Sequence, residues 1–449
     1  MASFASHIHF RWLYHYVRCL HNWFYYRHWY FLNRKNVPED KTPVLVVGNH
    51  QNALGDPLAL EFGFSDRRLS IFARADIFNN KFLNFFFRAI YVLPSYRMRT
   101  DGQDAVQKNF GVFNEAAQRL IDGSTLAIFP EGTNQSGHWL GEFSLAYLRL
   151  AFDAAALSDW QKDVKILPVG IHYASYFRFH TDALLNFGQP ISLKPYYELY
   201  QTKPRTVQRK VDELVTAQLK TLMLHIENES EREAIEVIRE GVGRGVLERR
   251  YGGKMNLPDA LAADKQMVAM LEQMIQDEPE LWESVRDEAL DIEREIASYG
   301  VRHWVFYRSW GVFRIVMSAL LLLVSAPVAL VGLLLTGPII IGIQPLISKF
   351  RNMGGPFPLF QSGIQIIALL LLPLVFAVVA VVAGCCTTWY WGLMVFVLCF
   401  VCGMGAWQWS VVFKKCHAAC RYRRMMRDEE GFAVAERWRL LYHTLKQRL

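Results

Sequence analysis

The stretch Val44–Leu60, VLVVGNHQNALGDPLAL, decides how the rest of the chain is read. Val44 to Val47 has the composition of a fully buried strand, and Gly48 ends it. Beyond the glycine come Asn49, His50, Gln51 and Asn52, and then Asp56 six positions after the histidine. An apolar strand that runs into a small polar turn carrying a histidine and a carboxylate is a reactive loop on a buried scaffold.

Working outward, the same strand-then-turn pattern recurs. Leu69 to Ala73, Ile90 to Leu93, Thr125 to Phe129 and Lys165 to Tyr173 read as further strands. A helical period runs from Gln103 to Ile121 and stops at Asp122-Gly123. Such alternation over residues 41–202 predicts an α/β domain with a largely parallel sheet flanked by helices and loops gathered at strand ends.

Before it, Phe4 to Phe31 is rich in aromatics. Phe10, Leu13, Val17, Leu20 and Phe24 fall at helical spacing, with Arg11, His15, Arg18 and Asn22 on another face. Residues 1–40 are therefore expected to hold an interfacial helix, with Trp, Tyr, His and Arg at headgroup level. The arginines that interrupt its apolar residues, and the lack of a small-residue cleavage site, argue against a secretory signal. Phe78 to Phe87 packs five phenylalanines around Lys81, as core or as a surface that dips into lipid.

Residues 203–300 turn helical and charged, with Val211, Leu214, Val215, Leu219 and Leu222 on one face, and read as packing and solvated surface. Gly241-Val-Gly-Arg-Gly245 lacks the strand and acidic context of a nucleotide loop and reads as a flexible break.

Residues 301–449 form a membrane region. Val312 to Leu335, Ile364 to Ala383 and Trp389 to Phe413 each approach or exceed the roughly 20 residues needed to span a bilayer. Thr336-Gly-Pro338 is expected to break the first block, with Ile339 to Ile347 continuing it. Arg302, Arg308 and Arg314 precede the blocks, and Lys414, Lys415, Arg421, Arg423, Arg424 and Arg427 follow them. The positive-inside rule then places both ends in the cytoplasm and requires an even number of crossings: four, or two with the first block partly re-entrant. No Asp, Glu, Lys, Arg or His lies between Ile315 and Ile347 or between Ile364 and Phe413, which counts against a transporter with a regulatory N-terminal domain.

Composition agrees with a membrane-bound protein. The apolar fraction is 52% and the formal charge +7, with basic residues beside aromatic and apolar segments. That placement favours anionic lipid or phosphorylated substrates over nucleic acid. All seven cysteines lie outside the stretch from His21 to Gly384, which fits a reducing compartment rather than a disulfide scaffold. Cys399 and Cys402 lack nearby ligands and read as buried apolar residues, so no metal is expected.

Three clusters bear on His50. Phe129-Pro-Glu-Gly-Thr133 follows a strand and offers Glu131, the Gly132 backbone and the Thr133 hydroxyl to a polyol or phosphate. Leu93-Pro-Ser-Tyr-Arg97 also follows a strand, and Arg97 suits a bidentate phosphate clamp. Ile166-Leu-Pro-Val-Gly170 reads as a buried strand with a proline. Ser136, His138, Glu142 and Ser144 do not form a hydrolase set, since no nucleophile elbow is present. His172 reads as a core or rim histidine, and Arg74 and Lys81 as helpers toward phosphate or donor.

In order and spacing, Asn49-His50 with Asp56-Pro57, then Arg97, then Phe129–Thr133, then Leu167-Pro-Val169 resembles the four-block signature of the glycerolipid acyltransferase superfamily. The resemblance covers roughly residues 40–195 and implies the mixed sheet flanked by helices found in lysophosphatidic acid and glycerol-3-phosphate acyltransferases. It implies His50 as the general base toward a glycerol hydroxyl and Asp56 as the group that orients its imidazole. Asn49, Arg97, Glu131, Gly132 and Thr133 would by the same resemblance bind the glycerol phosphate or lysophospholipid acceptor.

The implied donor is an acyl thioester, acyl-CoA or an acyl carrier protein, with no cofactor. A free imidazole titrates near pH 6.5, suited to base catalysis at neutral pH. The family places four residues between histidine and aspartate; here there are five, and Gly55 stands where the carboxylate is usual. An extra residue on an ideal helix rotates the carboxylate by about 100°, so the dyad requires a non-helical or bulged turn. The longer spacing resembles a subgroup that includes fungal-type glycerol-3-phosphate/dihydroxyacetone-phosphate acyltransferases. A non-catalytic lipid-binding relative is the alternative.

Overall fold

The computed structural model describes residues 11–39, 41–64, 69–79, 84, 92–96, 105–132, 137–176, 178–308, 310–352 and 360–449. Two compact units are present, Met1–His225 with Ile347–Ile367, and Ile226–Leu346 with Ala368–Leu449.

The first unit is built on an eight-stranded mixed sheet. Its strands are β1 (Tyr26–Leu32), β2 (Val44–Gly48), β3 (Leu69–Arg74), β4 (Val92–Ser95), β5 (Thr125–Ile128), β6 (Lys165–Tyr173), β7 (Thr181–Phe187) and β8 (Ile191–Ser192). The order is β1-β7-β6-β2-β5-β3-β4, with β8 against β6. From β6 to β4 all neighbours run parallel; β7 and β8 run antiparallel to β6, and β1 parallel to β7.

All five residues of β2 are buried, which follows from its central place between β5 and β6. An unbroken aliphatic run is the pattern of a strand covered on both faces. Leu45 and Val47 share one face, as period-two alternation requires, and join a core with α3 (Ala105–Ile121), α4 (Ala146–Leu157), α5 (Tyr197–Thr202) and α6 (Pro204–Leu222). Each such side chain contributes about 1.5–3 kcal/mol by burial. The helix α2 (Gly55–Gly63) leads to Phe64, whose ring meets the Phe187 ring of β7 edge-on at 5.3 Å. Thus α6, expected from its charges to belong to a separate region, covers the sheet through Val207, Val211, Val215 and Leu219, and Leu214 is exposed.

The N-terminal expectation needs correction. The helix α1 spans Arg11–Cys19, a π turn follows over Leu20–Tyr25, and Tyr26–Leu32 is a strand. Aromatic residues fit a pleated edge, and the Arg27 guanidinium clamps Asp182 of β7 through bonds of 2.9 and 2.6 Å. Val17 and Leu20 are buried as the helical spacing requires, with Trp12 and Trp23 largely exposed. Residues 1–10 and most of the Phe78–Phe87 run lie outside the described residues.

The second unit is helical. It contains α7 (Arg232–Ile238), α8 (Arg244–Arg250), α9 (Leu257–Asp277), α10 (Pro279–Ser298) and α11 (Trp304–Tyr307). The glycine-rich stretch is not a break: a π turn over Arg239–Gly243 joins α7 to α8, and Gly241, Val242 and Gly243 are buried. Side chains there would collide with His303, Met267 and the Ile238 carbonyl, so close packing explains the glycines.

Three long apolar helices follow: α12 (Val312–Asn352), α13 (Phe360–Cys386) and α14 (Trp389–Met425), with α15 (Glu429–Arg448) last. Each of the three is long and apolar enough to cross a membrane. The expected break at Thr336–Pro338 does not end the first of them, for α12 continues through Pro327, Pro338 and Pro345. Thr336 Oγ1 donates to the Gly332 carbonyl at 2.8 Å, a back-bond that accommodates a bend without ending a helix. Among the described residues three helices, rather than four, have the length and composition to cross a membrane. Gly332 packs so closely on the Cys402 carbonyl that any side chain would collide with it, and Trp409 Nε1 donates to the Leu322 carbonyl at 2.9 Å. Small residues and such bonds hold apolar helices together in lipid, where burial alone supplies no drive.

Candidate active site

The site lies at the carboxyl end of β2, where an open parallel sheet presents its loops. Asn49 is fully buried and extends the sheet ladder by one step: its Nδ2 donates to the Ile171 carbonyl at 3.1 Å, and its Oδ1 accepts the Ile171 N–H at 2.7 Å. This amide holds the exit of β2 against β6, so Asn49 acts as a scaffold for the residue that follows.

His50 Nδ1 lies 3.0 Å from Asp56 Oδ2, which answers the spacing question. The loop absorbs the extra residue. Gln51 and Asn52 wrap around the carboxylate, and both their N–H groups donate to Asp56 Oδ2 at 2.7 Å. Asp56 N–H closes the first helical turn on the Asn52 carbonyl at 2.9 Å. Gly55 is needed because a side chain there would strike the Asn52 amide.

Asp56 is fully buried, and its second oxygen accepts the Tyr173 hydroxyl at 2.8 Å. Four donors, His50 included, offset the cost of burying one carboxylate. Burial, first, and the adjacent Asp56 charge push the Tyr173 hydroxyl well above the ordinary phenol range, so it stays a donor.

The His50 ring stacks on Phe129 at 4.4 Å with 18° between planes. Gly48 makes room for that ring, since a Cβ would stand 3.0 Å from it. With Nδ1 on the carboxylate, Nε2 lies on the far side of a ring that keeps 17% of its surface open. An imidazole braced by a buried carboxylate and a flat aromatic wall can take a proton at Nε2 without moving.

Glu131 grips the main chain. Its Oε1 accepts the His50 N–H at 2.7 Å and its Oε2 the Gly141 N–H at 2.8 Å. Gly132 is exposed with φ of 65°, a left-handed turn that glycine adopts without strain. Arg97 and Thr133, with Ser136 and Lys81, lie outside the described residues. His172 is buried, 5.7 Å ring to ring from His138, which in turn faces Tyr176 at 5.8 Å.

The structure therefore brings Asn49, His50, Asp56, Glu131 and Gly132 together. Tyr173, Phe129 and Gln51 were missed as site residues. Gln51 is buried, accepting from the Tyr176 hydroxyl at 2.6 Å and donating to the Gly137 carbonyl at 2.7 Å. Phe129 had a usable signal, since it sits one step before the Pro-Glu-Gly turn; Tyr173 had none beyond ending a strand.

A carboxylate-backed histidine thus stands at the end of a central parallel strand of an α/β domain. A family model described as Acyltransferase matches residues 29–172. An uncharacterized acyltransferase of Schizosaccharomyces pombe is 35% identical over 97 residues, 21% of this chain and 14% of its own. Glycerol-3-phosphate O-acyltransferase 2 of Saccharomyces cerevisiae is 29% identical over 112 residues, 25% of this chain and 15% of its own. The chain thus spans only a small part of the length of these relatives. The crystal structure of a 1-acyl-sn-glycerophosphate acyltransferase from Thermotoga maritima aligns over 43% of this chain and 71% of its own, at 21% identity and a TM-score of 0.31. Residues 29–172 thus match the acyltransferase family.

Proposed function

We propose that this chain is a membrane-bound O-acyltransferase that moves a fatty acyl group from an acyl thioester to a hydroxyl of glycerol 3-phosphate or lysophosphatidate. The observation that carries the reading is the His50–Asp56 pair at 3.0 Å, with Asp56 buried beneath three further donors. His50 Nε2 takes the proton of the acceptor hydroxyl as its oxygen attacks the thioester carbonyl. The tetrahedral intermediate collapses, the C–S bond breaks, and the thiolate leaves with the proton returned by the imidazolium. Asp56 holds the imidazole and offsets its transient charge. No acyl-enzyme is required.

Arg97, Gly132 and Thr133 hold the acceptor phosphate and glycerol in this reading, which converts an encounter into an oriented reaction. Glu131 serves the same end through the main chain. The donor is acyl-CoA or an acyl carrier protein, and no cofactor is invoked. Trp12 on α1 and Trp23 on the π turn after it suit an interfacial N-terminal segment, and the apolar helices anchor the domain, two of them crossing, which keeps catalytic domain and C-terminus on the cytoplasmic side.

The test offers purified protein glycerol 3-phosphate, dihydroxyacetone phosphate and lysophosphatidate with labelled acyl-CoA or acyl carrier protein. Transfer to one acceptor that is abolished by His50→Ala is the expected result. Turnover retained in His50→Ala removes the base assignment, and no transfer to any acceptor favours a lipid-binding relative.

A further inference from the structure

The end of α14 carries Lys414, Lys415, Arg421, Arg423 and Arg424, and Arg427 follows it, with no acidic residue from Lys414 to Arg427. Helical spacing places Lys414, Arg421 and Arg424 on one face. That face borders a cavity of about 580 Å³ whose lining includes Ser298, Tyr299, Gly300, Arg421, Arg424 and Asp428. Arg421 Nη1 reaches only the Gly300 carbonyl, at 3.4 Å, and Arg424 has no side-chain partner among the described residues. Asp428, the one acid in the lining, already accepts the Tyr299 hydroxyl at 2.5 Å and the Gly431 N–H at 3.3 Å. Two guanidinium groups beside one cavity thus lack a carboxylate of their own, and an anion there relieves their repulsion.

Position on the helix says which anion. The apolar part of α14 ends at Phe413, so Arg421 and Arg424 lie about 12 and 16 Å further along the axis at 1.5 Å per residue. Helical side chains lean back toward the N-terminus, so both guanidinium groups reach toward the outer headgroup layer. A phosphodiester lies too near the hydrocarbon and carries one charge. A phosphomonoester displayed beyond it carries up to two, which suits two guanidinium groups.

We propose that this cavity binds the phosphomonoester headgroup of an anionic membrane phospholipid, with Arg421 and Arg424 as its donors. Phosphatidylinositol 4-phosphate and phosphatidylinositol differ only in that group, and neither is a substrate or product of the transfer proposed above. The full chain in detergent is loaded with both, and retained lipid is measured by mass spectrometry.

Retention of the phosphorylated lipid about tenfold over the other is expected, lost in Arg424→Gln and in Arg421→Gln/Arg424→Gln. Lys415→Gln/Arg423→Gln, off that face, keeps it. Equal retention of the two lipids, or equal loss in both double variants, overturns the site in favour of general surface charge. Complete displacement by excess inorganic phosphate overturns the lipid assignment in favour of a free anion. Arg424 is exposed and unpaired, so its variant tests the site without a folding defect.

Discussion

The Tyr173 hydroxyl donates to Asp56 Oδ1 across 2.8 Å, joining residues 117 positions apart, one on β6 and one at the start of α2. The bond ties the site to a second strand and leaves Asp56 Oδ2 for His50. Tyr173→Phe removes the donor and keeps the ring. The carboxylate then loses one of the bonds that fix it behind His50. Stability is expected to fall by about 1–3 kcal/mol for the unsatisfied oxygen, and kcat to fall with the looser brace. An unchanged kcat assigns Tyr173 to packing alone.

His50 and Asp56 act as a unit, so their losses do not add. His50→Ala and Asp56→Asn should each lower kcat by about 10²–10⁴-fold, and the double variant little more than the worse single one. Asp56→Asn also presents its amide to donors built around a carboxylate, so its melting temperature should fall and that of His50→Ala should not. Steady-state kinetics and thermal unfolding of the three variants decide it.

Glu131 and Arg97 separate by kinetic signature. Both oxygens of Glu131 hold main-chain N–H groups, one of them that of His50. Glu131→Gln should therefore lower kcat about tenfold with little change in acceptor KM, since one of two charge-assisted bonds is lost. Arg97→Ala should mainly raise acceptor KM. A Glu131→Gln variant whose only defect is acceptor KM would return that residue to substrate binding.

The same residues show what a sequence reveals and what it hides. The β2 run and the turn after it are legible because burial on two faces demands an unbroken aliphatic strand, and a polar loop must follow. Neither β1 nor β7 was foreseen, because aromatic YRHWYFL also satisfies a helical period and only pairing with β7 makes it extended. Thr336-Gly-Pro338 looks like a stop because proline removes a hydrogen bond; the local Thr336 back-bond and the packing of α14 at Gly403 against Thr336 accommodate it, and that packing is a tertiary fact. The His50–Asp56 dyad was legible as two residue types at one spacing. Its bend was not, since it depends on Gln51 and Asn52 curling around the carboxylate.

A buried ion network in the second unit, within a region expected to supply packing and solvated surface, makes a stability prediction. Arg239 is almost fully buried and bonds Glu236 at 3.0 and 2.5 Å, Glu240 at 2.8 Å and Asp264 at 2.9 Å. Arg244 shares Asp264 at 2.7 Å. Asp264→Ala leaves a buried guanidinium with less compensation and should cost about 3–5 kcal/mol. Arg286→Ala, which removes the surface pair with Asp287, should leave the same unfolding midpoint nearly unchanged.

His21 supplies the pH dependence of the first unit. Its ring is buried among Tyr25, Tyr26, Trp29 and Phe62, and burial lowers its pKa to about 4, against a weaker opposing bond to Asn22. Folded His21 therefore stays neutral between pH 6.5 and 4 while the unfolded chain takes up a proton there. The contribution is complete above pH 6.5 and lost as pH falls, by about 3 kcal/mol at pH 4 at 1.36 kcal/mol per unit. His21→Phe keeps an aromatic ring and removes the titration. Its melting temperature should fall less steeply than that of the unaltered chain between pH 7 and 5. Parallel curves would place the acid sensitivity in carboxylates elsewhere, and a curve that flattens at lower pH identifies His21 as the group that limits the acid stability of the fold around β1.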